Sequence, residues 1–180
     1  MTRFITRDYS PAIAGHLVEE GFPEPLARVL AARGIESGED LKADWRAMLP
    51  PQTLMGTCAA ARLLADAIEK GLRIMVIADY DCDGATACAV ALMGLRSMGA
   101  KVDYLVPDRF VYGYGLTPAI VDLAAEKHAQ LILTVDNGMA SIDGVARAKE
   151  LGIEVIITDH HLPAETLPQA ACIVNPNTPG

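Results

Sequence analysis

The fold of this chain is decided by the stretch Ile74-Met75-Val76-Ile77-Ala78-Asp79-Tyr80-Asp81-Cys82-Asp83-Gly84-Ala85-Thr86. Its first five residues form an apolar run of strand length, and the small residues after the glycine begin a helical pattern. Three aspartates lie between them at alternate positions, a spacing that sends the side chains of an extended segment to one side. Such a group of carboxylates repels itself unless a cation compensates. The stretch therefore predicts a strand, a turn that binds a divalent metal ion, and a helix.

The composition is that of an ordinary globular protein, in which 51% of the 180 residues are apolar. We find no apolar run of membrane-spanning length and no apolar leader after Met1, so we expect a cytoplasmic protein. The net charge of −8 argues against a general nucleic-acid coat, because non-specific binding requires Lys and Arg to neutralise phosphates. It leaves a nucleic-acid enzyme open, since bound metal ions cancel part of the charge of their ligands.

The chain divides into a small helical region, 1–51, and a larger core, 52–180. In the first region, helices are predicted at 11–20 and 23–33, each with a proline near its start and a glycine after its end, and a weaker third at 40–45. In the core, a helix at 52–70 precedes a repeated pattern of strand, loop and helix, with strands at 74–78, 102–106, 131–135, 153–157 and 171–174. This pattern predicts an α/β fold, with a mostly parallel sheet and helices on both of its faces.

Three strand ends of the core carry chemically active side chains. The first ends in Asp79, Asp81 and Asp83, the third in Asp136-Asn137-Gly138, and the fourth in Thr158-Asp159-His160-His161. The carboxyl ends of parallel strands lie on one edge of a sheet, so these groups should meet there. A site with mostly oxygen ligands and an occasional imidazole suits Mn²⁺ or Mg²⁺ better than zinc, and of the two we expect manganese first. We expect two ions, as in enzymes that cleave phosphoesters.

The loop after the second strand, 107–116, has the composition of a substrate-binding loop. Arg109 can bind a phosphate through two hydrogen bonds, and Tyr112 or Tyr114 can stack on a nucleobase. Taken singly, the two aspartate motifs are also typical of ordinary turns, the double histidine of capping or surface roles, and the 107–116 segment of an ordered loop. Their occurrence at successive strand ends favours a metal site over separate structural roles.

Two other interpretations of the aspartate motif are weaker. An EF-hand loop would place a bidentate glutamate at its twelfth position, which is Val90 here, so this interpretation fails. The segment 81–86 also resembles the nucleophile loop of haloacid-dehalogenase-type phosphatases, in which an aspartate is phosphorylated. Those enzymes are not expected to carry a double histidine after a later strand.

Taken together, the motifs at 79–84, 136–138 and 159–161 resemble those of the DHH phosphoesterase family, whose fold is Rossmann-like. The loop at 109–116 and the N-terminal helices are most similar to the bacterial branch of single-strand-specific 5′→3′ DNA exonucleases. The resemblance implies metal ligation by Asp81, Asp83, Asp136 and His160. The resemblance also implies that Asp79 and His161 bind the metal ions or lie next to their ligands. Alternatively, His161 contacts the scissile phosphate.

The activity implied by the resemblance is metal-dependent hydrolysis of single-stranded DNA to mononucleotides in recombination and repair. A helicase and a single-strand-binding protein are the partners it suggests. The family carries a further aspartate motif beyond the double histidine, so the chain resembles an N-terminal piece, and we expect low activity from it alone. The alternatives within the family are a pyrophosphatase, an oligoribonuclease, a cyclic-dinucleotide phosphodiesterase and a non-catalytic scaffold.

Overall fold

The computed structural model describes residues 5–42, 44, 46 and 48–178. The chain forms two compact units, Met1–Leu49 and Pro50–Gly180. The first contains helices α1 (Pro11–Glu19) and α2 (Glu24–Ala31), which bury Leu17 and three alanines against each other. In place of the predicted third helix there is a 3₁₀ turn, Gly38–Leu41, while Ala43 and Trp45 lie outside the described residues.

The second unit is built on a five-stranded, wholly parallel sheet. Its strands are β1 (Arg73–Ala78), β2 (Lys101–Leu105), β3 (Leu131–Val135), β4 (Glu154–Thr158) and β5 (Cys172–Val174), in the spatial order β2-β1-β3-β4-β5. The α/β prediction with a mostly parallel sheet is confirmed. Strand β2 lies at the sheet edge and is mostly exposed, whereas the central strands β1 and β3 are buried.

Helices cover both faces of the sheet, as the sequence predicts. Alternate residues of β1 point to opposite sides, so Met75 and Ile77 pack in one core cluster and Ile74 and Val76 in the other. The first cluster contains α6 (Pro118–Glu126) and α7 (Ile142–Glu150), and the second contains α3 (Thr57–Glu69) and α4 (Cys82–Ser97). The short helix α5 (Arg109–Tyr112) follows β2.

Two helix starts differ from the prediction for local reasons. Helix α3 begins at Thr57 and not near residue 52, because a 3₁₀ turn at Pro51–Thr53 and Gly56, with a φ of +83°, come first. Helix α4 begins at Cys82 and not at Ala85, because the side chain of Asp81 accepts a hydrogen bond from the backbone N–H of Gly84 and caps the helix. Asp79 therefore follows the end of β1, Asp81 caps α4, and Asp83 lies in the first turn of that helix.

None of the described helices is both long enough and apolar enough to cross a membrane. The four cysteines are free. Cys88 and Cys172 are buried, whereas Cys58 and Cys82 occupy exposed helical positions.

Candidate active site

The register of the sheet places one polar residue beyond each central strand in the same row. Ala78, Val135, Thr158 and Val174 are successive partners across β1, β3, β4 and β5. The residues that follow them are all buried: Asp79, Asp136, Asp159 and Asn175. We call these four residues the polar row. The row confirms that segments distant in sequence meet at the carboxyl edge of the sheet.

Carboxylates from two strand ends converge in this row. Asp79, Asp81 and Asp136 each present an oxygen atom within 4.8 Å of the others. Asp83, in the first turn of α4, is not part of this group, but its Oδ2 lies 3.5 Å from Nε2 of His160. The prediction that Asp79, Asp81 and Asp83 share one side of an extended segment is wrong in its geometry, because the helix begins between them.

Asp136 links the carboxylates to the histidines. Its Oδ1 lies 2.9 Å from Nε2 of His160, and its backbone adopts the left-handed conformation, with a φ of +62°. Burial raises the pKa of Asp136, the hydrogen bond from His160 opposes that rise, and the nearby charges of Asp83 and Asp81 add to it. The site thus holds more negative charge than its own cationic groups neutralise.

Asp159 holds the double histidine in place, a role that the sequence analysis did not assign. Its side chain is 2% exposed and its Oδ1 lies 2.7 Å from Nδ1 of His161. The carboxylate also accepts hydrogen bonds from the backbone N–H groups of Met139, His160 and His161. Burial acts to raise the pKa of Asp159, but these hydrogen bonds together lower it. The Asp159 contact raises the pKa of His161.

Arg109 is already paired within the site. Its Nη2 donates to both oxygens of Asp79, at 2.8 and 2.6 Å, and this pairing raises the pKa of the guanidinium. The same guanidinium lies 4.3 Å from the ring centroid of Tyr80 and 4.8 Å from that of Tyr114. A phosphate would therefore meet a guanidinium fixed between two aromatic rings.

The two tyrosines predicted to bind substrate have different surroundings. The hydroxyl of Tyr114 lies 3.4 Å from the backbone oxygen of Asp136 and 3.4 Å from Nε2 of His161. Burial, with the charges of three nearby aspartates, raises the pKa of Tyr114 to about 12, so its hydroxyl remains a proton donor. Tyr112 is half-buried and packs against the hydrophobic core, away from the contacts that join Tyr114 to the polar row.

Asn137 ties two of the strand ends together. Its side-chain amide donates to the backbone oxygen of Ile77 at 3.1 Å and to that of Val135 at 2.9 Å. Gly138 follows with a φ of +123°, and a Cβ there would lie 2.7 Å from Oγ1 of Thr134. Only glycine therefore fits this position, which explains the Asp-Asn-Gly sequence in structural terms.

Comparison with known proteins agrees with this geometry. The sequence model of the DHH family, N-terminal domain, matches residues 73–180, which begins at the first residue of β1. The chain belongs to the DHH family. The match favours DHH chemistry over the haloacid-dehalogenase alternative.

Curated relatives of this DHH chain include the single-stranded-DNA-specific exonuclease RecJ of Salmonella typhimurium, 51% identical over 156 residues, and that of Escherichia coli, 50% identical over 156 residues. Each alignment covers 86% of this chain and 27% of the relative. The chain thus spans about a quarter of the length of these relatives.

Solved structures with the same fold include an exonuclease RecJ bound to manganese, with a TM-score of 0.65 and 41% identity over 72% of this chain and 32% of that one. RecJ from Thermus thermophilus in complex with Mn²⁺ gives a TM-score of 0.66 and 34% identity, covering 92% of this chain and 23% of that one. These similarities confirm the fold derived from the sequence.

The donor atoms of this DHH chain suit a hard divalent cation. Within the described part of the chain, two groups can hold a metal ion, Asp79 with Asp81 and Asp136, and Asp136 with His160 and His161. Both consist of carboxylates and imidazoles without a thiolate, which favours Mn²⁺ or Mg²⁺ over zinc. Burial, and after it the charges of Asp83 and Asp81, raise the pKa of Asp136, and a bound cation of any kind would oppose that rise.

Three supporting residues of the site received no role of their own in the sequence prediction: Asp159 and Asn137, which lie within its motifs, and Asn175. Asn175 donates a hydrogen bond to the backbone oxygen of His161 at 2.9 Å. All three are nearly buried and bind backbone groups of the site loops. The signal for Asp159 and Asn175 was present in the sequence, since each directly follows a strand, as Asp79 and Asp136 do.

Proposed function

We propose that this chain is the catalytic core of a divalent-metal-dependent 5′→3′ exonuclease of the RecJ type, which hydrolyses single-stranded DNA to mononucleotides in recombination and repair. The observation that carries the proposal is the convergence of carboxylates and imidazoles from three strand ends. Asp136 belongs to both groups that can hold a metal ion, so it would be a ligand in either of them. The names of the curated relatives support DNA as the substrate.

The metal ligands that we propose are Asp81, Asp83, Asp136 and His160, with Asp79 and His161 beside them. The manganese-bound RecJ structures support Mn²⁺ as the first choice, with Mg²⁺ as the alternative. A pair of such ions supplies charge stabilisation to the leaving oxygen and a lower pKa to the attacking water. These residues fit such chemistry because all of them except Asp83 belong to the two groups that can hold a metal ion, and Oδ2 of Asp83 lies 3.5 Å from Nε2 of His160.

The remaining residues of the site would bind and orient the scissile phosphate. Asp159 fixes the ring of His161, so that Nε2 is available to a phosphate oxygen. The hydroxyl of Tyr114 lies beside the same nitrogen and remains protonated at neutral pH. The guanidinium of Arg109 lies at the same edge of the sheet, held by Asp79. Together they offer positive and hydrogen-bonding groups opposite the carboxylates.

The wider parts of the proposal rest on the family resemblance. We assign the catalytic core to 52–180 and a helical N-terminal region to 1–51. The proposed location is the cytoplasm. A helicase and a single-strand-binding protein are the partners that we propose for the longer protein.

The direction and metal dependence of cleavage test this proposal. Single-stranded DNA labelled at the 5′ or the 3′ end is incubated with Mn²⁺, with the chain in excess over DNA because we expect low activity from it alone. The Escherichia coli RecJ serves as positive control. Release of labelled mononucleotide from the 5′ end, abolished by EDTA, is expected. Asp81→Ala and His160→Ala should abolish that release, and the matched control Asp66→Ala, on the exposed surface of α3, should leave it unchanged.

Three results would contradict parts of the proposal. Full activity in Asp81→Ala would refute the ligand assignment. Removal of nucleotides from the 3′ end would refute the direction. Hydrolysis of pyrophosphate or a cyclic dinucleotide without hydrolysis of DNA would move the chain to another branch of the family.

A further inference from the structure

Phe110 is a large apolar residue that the fold leaves entirely in solvent, with a relative exposure of 102%. The turn that carries it is well anchored. The side chain of Asp108 accepts a hydrogen bond from the backbone N–H of Phe110 at 2.9 Å. The N–H of Gly113 closes the turn on the backbone oxygen of Arg109 at 3.1 Å. An ordered turn therefore presents an exposed phenyl ring.

The neighbours of Phe110 prevent the turn from folding this ring inward. On one side, Arg109 is held by both oxygens of Asp79. On the other side, Tyr112 packs against the core of the sheet. A rotation of the backbone turn toward the core would break at least one of these anchors.

Two other aromatic rings near the site are exposed, but both already contact the guanidinium of Arg109. Tyr80 is 56% exposed and Tyr114 is 45% exposed. Each has a face against the guanidinium of Arg109, and Tyr114 also meets the ring of His161 edge-on. Phe110 adjoins the same arginine along the chain, and its full exposure leaves both faces of its ring accessible.

The negative charge of the chain favours binding of nucleic acid through an aromatic ring. The net charge is −8, and the arginine beside the carboxylates is already paired with Asp79. Attraction of a nucleic-acid backbone through charge is therefore weak, whereas stacking of a base on an aromatic ring does not depend on charge. A ring of this kind also selects against a duplex, in which the faces of the bases are covered by their neighbours.

We propose that Phe110 is a stacking platform for a nucleobase of the single-stranded nucleic acid that enters the site. This inference rests on the proposed function, because it takes a single strand as the substrate. It transfers to Phe110 the stacking role that the sequence suggested for Tyr112 or Tyr114.

The test measures binding and cleavage separately. Fluorescence anisotropy gives the affinity of the chain with Mn²⁺ for an oligothymidylate and for an abasic oligomer with the same number of phosphates, both with phosphorothioate linkages that resist cleavage. Phe110→Ala should weaken binding of the oligothymidylate roughly 5- to 150-fold, the range for loss of one stacked base. Its binding of the abasic oligomer should stay at the wild-type level, and Phe110→Trp should restore the affinity for bases. Val111→Ala is the matched control, because Val111 is 68% exposed on the same turn.

Wild-type affinity of Phe110→Ala for the oligothymidylate would overturn the inference, as would equal weakening for both oligomers. Failure of the wild-type chain to prefer bases over abasic sites would also overturn it. The proposed function is judged independently by release of nucleotides from ordinary DNA. If the chain prefers the oligothymidylate through Phe110 but releases no nucleotide, the proposed nuclease function is refuted and the stacking role is supported. If it releases nucleotides but Phe110→Ala leaves the preference for bases unchanged, only the stacking role is refuted.

Discussion

Replacing Gly84 with alanine should destabilise the chain, although alanine is the better helix former. Gly84 lies in the first turn of α4, where the helix starts against the end of β1. A Cβ at this position would lie 2.6 Å from the backbone oxygen of Asp79 and 2.8 Å from its carbonyl carbon. Both atoms belong to the backbone, so the clash cannot be relieved by rotating a side chain, and the start of the helix must move.

The size of the effect follows from two opposing contributions. Overpacking of this kind costs about 3 kcal/mol when the obstructing atoms cannot move aside. Alanine recovers about 1 kcal/mol through its higher helix propensity. The expected net loss in the free energy of unfolding is therefore about 2 kcal/mol. The displaced helix start also carries Asp81, whose cap on the N–H of Gly84 should weaken, so metal binding should weaken as well.

The same helix offers a matched control. A Cβ at Gly94 would meet nothing within 4 Å. Gly94→Ala should therefore gain the propensity without the clash and stabilise the chain by about 1 kcal/mol. Thermal unfolding should separate the two variants by about 6–12 °C. The reasoning would be refuted if Gly84→Ala were as stable as Gly94→Ala, or if its Mn²⁺ affinity matched the wild type.

Three further predictions concern the charged groups of the site. The lowered pKa of Asp159 contributes stability that is present above its ordinary value of 3.8 and is lost as the pH falls through the lowered pKa, so Asp159→Asn should flatten the acid side of a plot of unfolding free energy against pH. Identical acid slopes in both proteins would contradict this. Mn²⁺ should raise the melting temperature of the wild type and of Asp66→Ala, but not that of Asp136→Ala. An equal rise for Asp136→Ala would show that Asp136 does not bind the metal ion. Arg109→Lys should lower the melting temperature more than Arg96→Lys, because an ammonium group cannot reproduce the contacts with Asp79 and two aromatic rings, and equal losses would show that these contacts add no stability.

The parallel sheet and the meeting of its strand ends could be predicted from the sequence because both depend on simple periodicities. The buried strands are short apolar runs, and glycines follow two of the helices between them, Gly99 after α4 and Gly152 after α7. Once a sheet is parallel, residues such as Asp79 and Asp136 lie at one edge whatever the details of packing. This is why the convergence of the motifs needed no coordinates.

The local geometry of the site could not be predicted in the same way. A run of aspartates at alternate positions fits an extended segment equally well as a helix cap, and only the structure shows that Asp81 caps α4. The loop after β2 has no periodicity that distinguishes the exposed Phe110 from the half-buried Tyr112. The role of Asp159 could not be assigned because it depends on backbone N–H groups, including that of Met139, which become neighbours only after folding.

Asn137 binds the backbone oxygens of Ile77 and Val135 with one amide group, and so joins the ends of two strands at the point where their own ladder stops. The aspartate-containing segments after β1 and β3 are consequently attached to the same side chain. An outward movement of either segment would displace the other or break one of these hydrogen bonds. Their fluctuations should be concerted, which would keep the spacing of the carboxylates constant through repeated cycles of substrate entry and product departure.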